Sequence, residues 1–187
     1  GQGYIQTTPI QLCLMTALIA NGGYKIEPKI IVNNEPLSSL EVKRNIEAQK
    51  LINLESQLVK DKRNLEIIQK AMFSSTNEIR GTSYRSRIDN PKYQFAGKTG
   101  TAQVKRISKR ERELDLKIDQ IPYNDRDHAL YVAYGPYVNP RYALSIIIEH
   151  GGSGSATAAP MAKELFKLII DREELRDKQL NFEKINI

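Results

Sequence analysis

The hydrophobic pattern near the start of the chain predicts a buried helix. Thr8 and Pro9 suit the N-cap and the first helical position, because a threonine hydroxyl can accept from free backbone N–H groups and proline already has a helical φ. From Ile10 to Ala20, apolar residues stand on more than one side of the helix, a pattern typical of a core helix. Asn21-Gly22-Gly23 ends it with residues that tolerate a left-handed conformation.

Residues 61–74 predict a second helix. Asp61 suits its N-cap. Apolar side chains recur there at helical spacing and should pack one face of the helix on the core: Leu65, Ile68 and Met72. The charged, weakly periodic residues 40–60, just before this helix, fit either a surface helix or an exposed insertion. Residues 75–90, just after it, predict a loop.

Two runs in which the residues alternate between two faces predict an antiparallel hairpin. His128–Tyr134 and Tyr142–Glu149 each alternate with period two, and a turn at Pro136–Pro140 joins them. The first run places Ala129 and Ala133 on one face. Small residues on that face would let a helix pack closely against the strand.

A third helix should follow the hairpin. The glycines and serines of residues 151–155 predict a tight turn that caps a helix from about Ala156 to Arg176, and the residues after it predict a charged tail. Together these elements predict one domain of the α+β class. Its antiparallel sheet, built from the hairpin and a strand around Lys98, would be covered by helices that begin near Pro9 and Ala156.

The segment Phe95–Gln103 carries the chemistry of the chain, because it combines a cation, two hydroxyl groups and two glycines. In a strand, Lys98 and Gly100 would point to one face, and Thr99 and Thr101 to the other. Gly100 would let a ligand approach the backbone, and an edge strand would leave N–H groups free for a peptide-like ligand. Such a strand could hold a carboxylate and also donate to a carbonyl oxygen.

The triplet Gly97-Lys98-Thr99 admits three interpretations. A phosphate-binding P-loop requires a glycine at position 92, where the chain has Lys92. Lys98-Thr99-Gly100 also matches the K-T-G element of serine acyl-transferases that react with penicillin. An ordinary surface strand with one lysine and two threonines also fits, and the triplet alone favours this third interpretation, because so short a motif recurs by chance.

Composition disfavours several other functions. The 187 residues carry 28 basic and 22 acidic side chains, a net charge of +6. Much of the excess lies in residues 105–112 without interleaved aromatic residues, so we expect no nucleic-acid partner. Two histidines and the single cysteine, Cys13, disfavour a zinc site, and we expect neither a metal nor a cofactor. The abrupt start at Gly1-Gln2-Gly3 is typical of the middle of a domain, so a membrane anchor would lie outside this sequence.

Five blocks of residues resemble the class B penicillin-binding proteins, and among these the enzymes of cell-wall elongation. The blocks keep the order of the family over nearly the whole chain: Gly1–Tyr4 with Thr8–Leu12, Ala20–Gly23, Gly97–Gln103, Ala133–Tyr137 with Asn139–Arg141, and Glu149–Gly154. Residues 40–60 and 104–127 match nothing in the family and are interpreted as charged insertions. The resemblance implies the penicillin-binding transpeptidase fold, similar to that of the serine β-lactamases, with residues 1–187 as the C-terminal part of the domain.

The resemblance implies a peptidoglycan D,D-transpeptidase. In this family a serine attacks the penultimate D-Ala carbonyl of a stem peptide, and the amine of a neighbouring stem peptide then takes the acyl group, whereas β-lactams are trapped as slow acyl-enzymes. Lys98 would supply positive potential near the nucleophile, and Thr99 and Thr101 would bind the terminal carboxylate. The Thr101 backbone N–H would be an oxyanion-hole donor. Gly100 and Gln103 would belong to the same substrate-binding strand.

One departure from the family pattern is decisive. No S-x-x-K motif occurs in the 187 residues. Ser75-Thr76-Asn77 has S-x-N spacing, but it follows the Gly1-Gln2-Gly3 block, whereas the S-x-N of the family precedes it. We interpret Ser75 as a helix-end serine without a catalytic role. The nucleophile, the base and the middle motif would lie before residue 1, and the chain alone would be inactive.

The resemblance also implies partners and a location. The partners would be peptidoglycan stem peptides, β-lactam antibiotics and other membrane proteins of the elongation complex, at the periplasmic face of the bacterial inner membrane. Two other functions stay open on the residues alone. A serine β-lactamase or a β-lactam-sensing receptor shares K-T-G and would differ in the fate of the acyl-enzyme. A non-catalytic peptidoglycan-binding module would bind D-Ala-D-Ala peptides without being acylated.

Overall fold

The computed structural model describes residues 6–28, 57–105 and 116–185, with side chains up to Arg176. This part of the chain contains three α-helices and a three-stranded antiparallel sheet, so the predicted α+β architecture is confirmed. The helices and strands are α1 (Pro9–Ala20), α2 (Lys62–Asn77) and α3 (Ala159–Ile185), and β1 (Ala96–Ala102), β2 (His128–Gly135) and β3 (Tyr142–Ile148).

The strands lie side by side in the order β1, β2, β3. β2 and β3 form the predicted hairpin, in which Gly135 pairs with Tyr142 beside the turn and Ala129 pairs with Ile148 at the far end. Among the described residues β1 pairs with β2 alone, so its other edge is open in this part of the chain. The strand predicted around Lys98 is therefore an edge strand here, where an extended peptide could add to the sheet.

Helix α3 packs on the face of the sheet that carries small residues. Ala129 and Ala133 of β2 are fully buried. They share a cluster with three alanines at the start of the helix: Ala158, Ala159 and Ala162. These small side chains let the helix approach the sheet closely, as predicted. Phe166 then stacks on Phe95 with ring centroids 4.9 Å apart and fills the core on this side.

Helices α1 and α2 cover the opposite face of the sheet. Met72 of α2 packs with Ala96 and Tyr134, all three of which are buried. Gln69 Nε2 donates to the carbonyl oxygen of Ile19 at 2.7 Å and so joins the two helices. The sheet therefore lies between two helical layers, with β1 at one side of the sandwich.

The predicted ends of the helices are confirmed where capping residues define them. The Thr8 hydroxyl accepts from the backbone N–H of Gln11, and the Gln11 side chain accepts in return from the Thr8 N–H. Asp61 accepts from a backbone N–H in the first turn of α2. Gly22 and Gly23 follow α1 with φ angles of 89° and 94°, which glycine adopts without strain.

α1 is less buried than its pattern predicts. Thr16 is its one buried residue, whereas Ile10 and Met15 are 54% and 46% exposed. One side of the helix packs on β2, β3 and α2, and no other described element covers the opposite side. A helix that is apolar on several sides is buried only if each side has a neighbour. The prediction of a buried helix is therefore wrong for the described part of the chain.

The other two helices are longer than predicted. α2 continues to Asn77, and its Ile68 is 42% exposed, because it faces a cavity bordered by α1 instead of the sheet. α3 continues to Ile185, through residues predicted as a charged tail. The tail includes lysine, glutamine, leucine and glutamate and has no proline or glycine. Such residues favour a helix even without burial.

The predicted insertions lie largely outside the described residues. Only the last four residues of the segment 40–60 are described, and residues 106–115 of the second insertion are not. The described part of the second insertion forms two 3₁₀ turns, Ile118–Gln120 and Tyr123–Asp125. The block Gly1–Tyr4 also lies outside the described residues. No helix in the described ranges is long and apolar enough to cross a membrane.

A buried hydroxyl cluster, formed by Thr76, Ser83 and Tyr131, joins β1 to α2. The Tyr131 side chain crosses over Gly97 of the neighbouring strand, and its hydroxyl oxygen lies 2.9 Å from Thr76 Oγ1 and 3.1 Å from Ser83 Oγ. Thr76 Oγ1 also accepts from the Gly97 N–H at 3.1 Å. A Cβ atom at Gly97 would lie 2.3 Å from the Tyr131 oxygen. Only glycine therefore leaves room for this crossing.

The crossing predicts unequal effects of two alanine substitutions in the same strand. Gly97→Ala should lower the free energy of unfolding by about 1–3 kcal/mol, because the rigid, hydrogen-bonded Tyr131 must move. Gly100→Ala should stay within about 1 kcal/mol of the parent chain, because its Cβ would meet only Leu130 Cβ, at 3.3 Å. Urea unfolding of both variants measures the difference. Equal stability of the two variants would contradict the crossing.

Candidate active site

Lys98 lies in the middle of β1 with its side chain exposed. Its ammonium group donates to the carbonyl oxygen of Thr99 at 2.8 Å and lies 3.4 Å from Thr99 Oγ1. Within the described part of the chain, no carboxylate forms an ion pair with Lys98. Its positive charge is therefore not neutralised there and can interact with an anionic ligand.

The open edge of β1 presents backbone donors beside this charge. The Gly97 N–H donates to Thr76 Oγ1, away from β2. Backbone groups of an antiparallel strand point alternately to its two sides, so the N–H groups of Thr99 and Thr101 also point to the open edge. They lie roughly 7 Å apart along the strand. This arrangement suits a ligand that binds to the backbone as an additional strand.

Three hydroxyl groups form a row from the end of α2 to β1. Ser75 Oγ lies 3.2 Å from Thr82 Oγ1, which in turn lies 3.2 Å from Thr99 Oγ1. Gly81 allows the row to form, because a Cβ there would lie 2.3 Å from the carbonyl oxygen of Ser75. Ser75 lies in the last turn of the helix, as interpreted from the sequence. Thr82 was missed, since its place in a loop gives no sign that it reaches β1.

The buried hydroxyl cluster supports this row from behind. Ser83, next to Thr82 in the loop, donates through its hydroxyl to the Ser75 carbonyl oxygen at 3.0 Å. Burial raises the pKa of the Tyr131 hydroxyl, although its hydrogen bonds with Ser83 and Thr76 oppose that rise. The phenol therefore stays neutral at physiological pH and remains a donor. All three residues of the cluster are almost fully buried, so the support is rigid.

A cavity of about 590 Å³ opens beside Lys98. Lys98, Thr82 and Ser75 are among the polar residues that line it, together with Ser74, Glu78 and Arg80. Apolar side chains from α1 and α2 form most of its remaining wall: Met15, Ile19, Ile67, Ile68 and Met72. A group that reaches the Lys98 ammonium from this side therefore meets a largely apolar surface next to the cation and the hydroxyl row.

The other predicted site residues continue along the same strand. The backbone of Gly100 lies against the turn before α3, where a Cβ at Gly154 would come within 2.6 Å of the Gly100 carbonyl oxygen. Thr101 is exposed, and Gln103 is exposed just beyond the end of β1. The structure thus joins Lys98 and its neighbouring threonine by hydrogen bonds. Among the described residues it shows no hydrogen bond from the side chains of Thr101 or Gln103 to that pair.

Metal ligands do not gather at this site. Within the described ranges, no group of three or more His, Cys, Asp or Glu side chains could hold a metal ion. His128 and His150 pack against each other with ring centroids 4.9 Å apart, and the His150 backbone N–H donates to His128 Nδ1 at 2.9 Å. This pair fastens the end of the hairpin. The chemistry of the site therefore comes from a lysine, hydroxyl groups and backbone donors.

Comparison with known proteins gives a family match and several relatives. The model of the family described as "Penicillin binding protein transpeptidase domain" matches residues 1–167. The peptidoglycan D,D-transpeptidase MrdA of Salmonella typhimurium is 31% identical over 172 residues, which cover 91% of this chain and 26% of that protein. MrdA of Escherichia coli is 29% identical over 172 residues, covering 91% of this chain and 25% of that protein. The chain thus spans about a quarter of the length of these curated relatives.

Two solved structures have a similar fold. Penicillin-binding protein 2 (PBP2) of Pseudomonas aeruginosa, in complex with WCK 5153, matches with a TM-score of 0.61 and 31% identity over 90% of this chain and 31% of that chain. PBP2 of Helicobacter pylori, in complex with MreC, matches with a TM-score of 0.60 and 30% identity over 90% of this chain and 26% of that chain. The fold and the family resemblance predicted from the residues are confirmed.

The link between Thr76 and β1 gives a prediction for the stability of the site. Thr76→Val removes the acceptor of the Gly97 N–H and a partner of the Tyr131 hydroxyl, so it should cost about 1–3 kcal/mol of unfolding free energy. Thr76→Ser keeps the oxygen and should cost less than half as much. Guanidinium unfolding of the two variants makes the comparison. A valine variant as stable as the serine variant would show that these hydrogen bonds contribute nothing.

Proposed function

The chain belongs to the penicillin-binding protein transpeptidase family, and we propose that it forms one wall of a peptidoglycan D,D-transpeptidase active site at the open edge of β1. The observation that carries this proposal is the geometry of Lys98 and Thr99. A cation that forms no ion pair with a carboxylate of the described residues stands beside a hydroxyl group and two outward-pointing backbone N–H groups. These are the groups that a peptide ending in a carboxylate requires.

Each residue of the strand has a role in binding the stem peptide. The peptide lies along β1 as an additional strand, and the Thr99 hydroxyl donates to its terminal carboxylate, helped by the charge of Lys98. Gly100 keeps the strand free of a side chain where the peptide backbone passes. The Thr101 N–H donates to the carbonyl oxygen under attack and stabilises the oxyanion that develops there. The Thr101 and Gln103 side chains extend the same binding surface.

The reaction at this wall is an acyl transfer in two steps. The serine oxygen adds to the penultimate D-Ala carbonyl carbon, the bond from that carbon to the terminal D-Ala nitrogen breaks, and D-Ala leaves after it takes a proton. The amine of a second stem peptide then adds to the ester. The new amide bond forms as the serine oxygen leaves and recovers its proton. A β-lactam undergoes only the first step: the serine oxygen opens its ring, and the opened drug stays attached to the serine.

The nucleophile of this reaction belongs to residues outside this sequence. The 187 residues contain no S-x-x-K motif. Ser75 Oγ is hydrogen-bonded to Thr82, and no lysine of the described residues shares a hydrogen bond with it. The chain therefore supplies the C-terminal part of the domain, and the nucleophile, its base and the S-x-N serine come from the rest of the full-length protein. Alone, the chain binds at most a ligand and catalyses nothing.

The relatives support a proposal for the location and the partners. The Helicobacter pylori relative is described in complex with MreC, and we extend a partner of this kind, a membrane protein of the elongation complex, to the full-length protein. Peptidoglycan stem peptides are its substrates and β-lactam antibiotics its inhibitors. Both occur outside the cytoplasm, so the domain works at the periplasmic face of the inner membrane.

Acylation by a β-lactam tests the proposed function directly. Intact mass should show one covalent adduct of benzylpenicillin on the full-length protein that carries this chain, and none on residues 1–187 alone. An adduct on the chain alone would place the nucleophile among its own serines. A full-length protein that takes up no adduct, but binds D-Ala-D-Ala peptides, would instead be a non-catalytic peptidoglycan-binding module.

Thr99 gives a second prediction for the full-length protein. Thr99→Val removes the donor to the ligand carboxylate and should slow acylation by benzylpenicillin by about 1–3 kcal/mol, or roughly 5- to 150-fold. Thr99→Ser keeps the hydroxyl and should stay close to the parent rate. Stopped-flow measurement of the acylation rate constant compares the variants. An unchanged rate in the valine variant would remove Thr99 from the site.

A further inference from the structure

We propose that Thr82 is a positioning residue for the carboxylate-binding hydroxyl of Thr99, an inference that rests on the proposed function. Thr82 does not touch the ligand in this proposal. It fixes the direction in which the single proton of the Thr99 hydroxyl points. The observation behind it is the row of hydroxyl groups, in which Thr82 Oγ1 lies 3.2 Å from both Ser75 Oγ and Thr99 Oγ1.

One hydroxyl group can make only a few hydrogen bonds, and their directions depend on one another. Thr99 Oγ1 has one proton to donate and can accept two hydrogen bonds. The Lys98 ammonium, 3.4 Å away, can only donate, so it uses one of the two acceptor positions. Thr82 decides what happens to the proton. If Thr82 donates to Thr99, the Thr99 proton remains available to an anion. If Thr82 accepts from Thr99, the remaining lone pair of Thr99 faces the anion instead.

Ser75 can supply the donor that the first of these directions requires. Ser75 Oγ lies on the far side of Thr82, and when it donates to Thr82 Oγ1, the Thr82 proton is left to point toward Thr99. Each hydroxyl then donates to the next one, from Ser75 through Thr82 and Thr99 to the ligand. Such a chain of donors polarises each member and strengthens the last hydrogen bond, which goes to the charged carboxylate.

The position of Thr82 is imposed by the loop that carries it. Gly81 has no Cβ that could strike the Ser75 carbonyl oxygen, and the Ser83 N–H donates to this same oxygen at 3.0 Å. The residues on both sides of Thr82 are thus held against the end of α2. Ser83 also belongs to the buried hydroxyl cluster that holds β1. Thr82 and Thr99 therefore keep a fixed separation before a ligand arrives.

The experiment separates positioning from a general loss of structure. It uses the full-length protein and two probes, benzylpenicillin and its methyl ester, which lacks the carboxylate. In the Thr82→Val variant the acylation rate constant for benzylpenicillin should fall about 3- to 30-fold, while that for the ester should change less than about twofold. Thr82→Ser should restore the parent ratio of the two rate constants. Thr7→Val, at an exposed threonine that does not line the cavity beside Lys98, is the matched control and should change neither.

The outcomes distinguish failure of the Thr82 proposal from failure of the proposed function. An equal loss for both probes, or no loss for either, would overturn the role of Thr82 while the parent protein still reacts with benzylpenicillin. A parent protein that does not react at all would overturn the proposed function instead. If Thr82→Val does not fold by thermal melting, Ser75→Ala decides, because it leaves Thr82 in place and removes the donor behind it. That variant should lose part of the benzylpenicillin rate and none of the ester rate, and an unchanged ratio would overturn the proposal.

Discussion

The position of β1 depends on the hydroxyl group of Tyr131. This group lies between Thr76 and Ser83, and Thr76 in turn accepts from the Gly97 backbone. One residue of β2 is thereby joined across β1 to the end of α2 and to the loop after it. A buried hydroxyl without a partner costs about 1–3 kcal/mol, so the arrangement in which all these groups are satisfied is strongly preferred. Lys98 and Thr99 follow Gly97 directly, and their positions are set by the same contacts.

Two glycines make this arrangement sterically possible. At Gly97 the missing side chain leaves space for the Tyr131 phenol, and at Gly81 it leaves space for the Ser75 carbonyl oxygen. The first contact lies in the core and sets the place of the strand. The second lies near the surface and sets the place of Thr82 above the strand. Both depend on the end of α2, so the positions of the buried cluster and of the surface row are coupled.

The parts of the fold that could be predicted from the sequence rest on local chemistry. The caps at Thr8 and Asp61 and the alternation in β2 and β3 each depend on residues close together in the chain, and all are found as expected. The burial of α1 could not be predicted, because it depends on which sides of the helix find neighbours. The full length of α3 could not be predicted from charge, because charged residues occur in tails and also form exposed helices readily.

In the candidate site, too, residues set by local sequence could be predicted and residues set by distant contacts could not. The K-T-G residues could be identified from a short motif and from the order of the other blocks along the chain. The residues that support them could not, because their partners are distant in sequence: Thr82 lies 17 residues from Thr99, and Tyr131 lies 55 residues from Thr76. Serine and threonine are common in loops and helix ends. Nothing in the pattern distinguishes those that build a site from those that only make local turns.

Two lysines near β1 differ in whether a carboxylate of the described residues neutralises them. Lys92 forms ion pairs with Asp171 at 3.1 Å and Glu174 at 2.8 Å, and hydrogen bonds to Glu174, Tyr93 and Asp171 raise its pKa. Its charge is used inside the chain, to hold α3 near β1. Lys98 has no such carboxylate among the described residues and donates instead to Thr99. A carboxylate ligand at β1 therefore meets a cation that no carboxylate of the described residues neutralises, and a hydroxyl row that is already in place. These groups do not have to rearrange when an anionic ligand binds. Fixed donors stabilise a negative charge most under this condition.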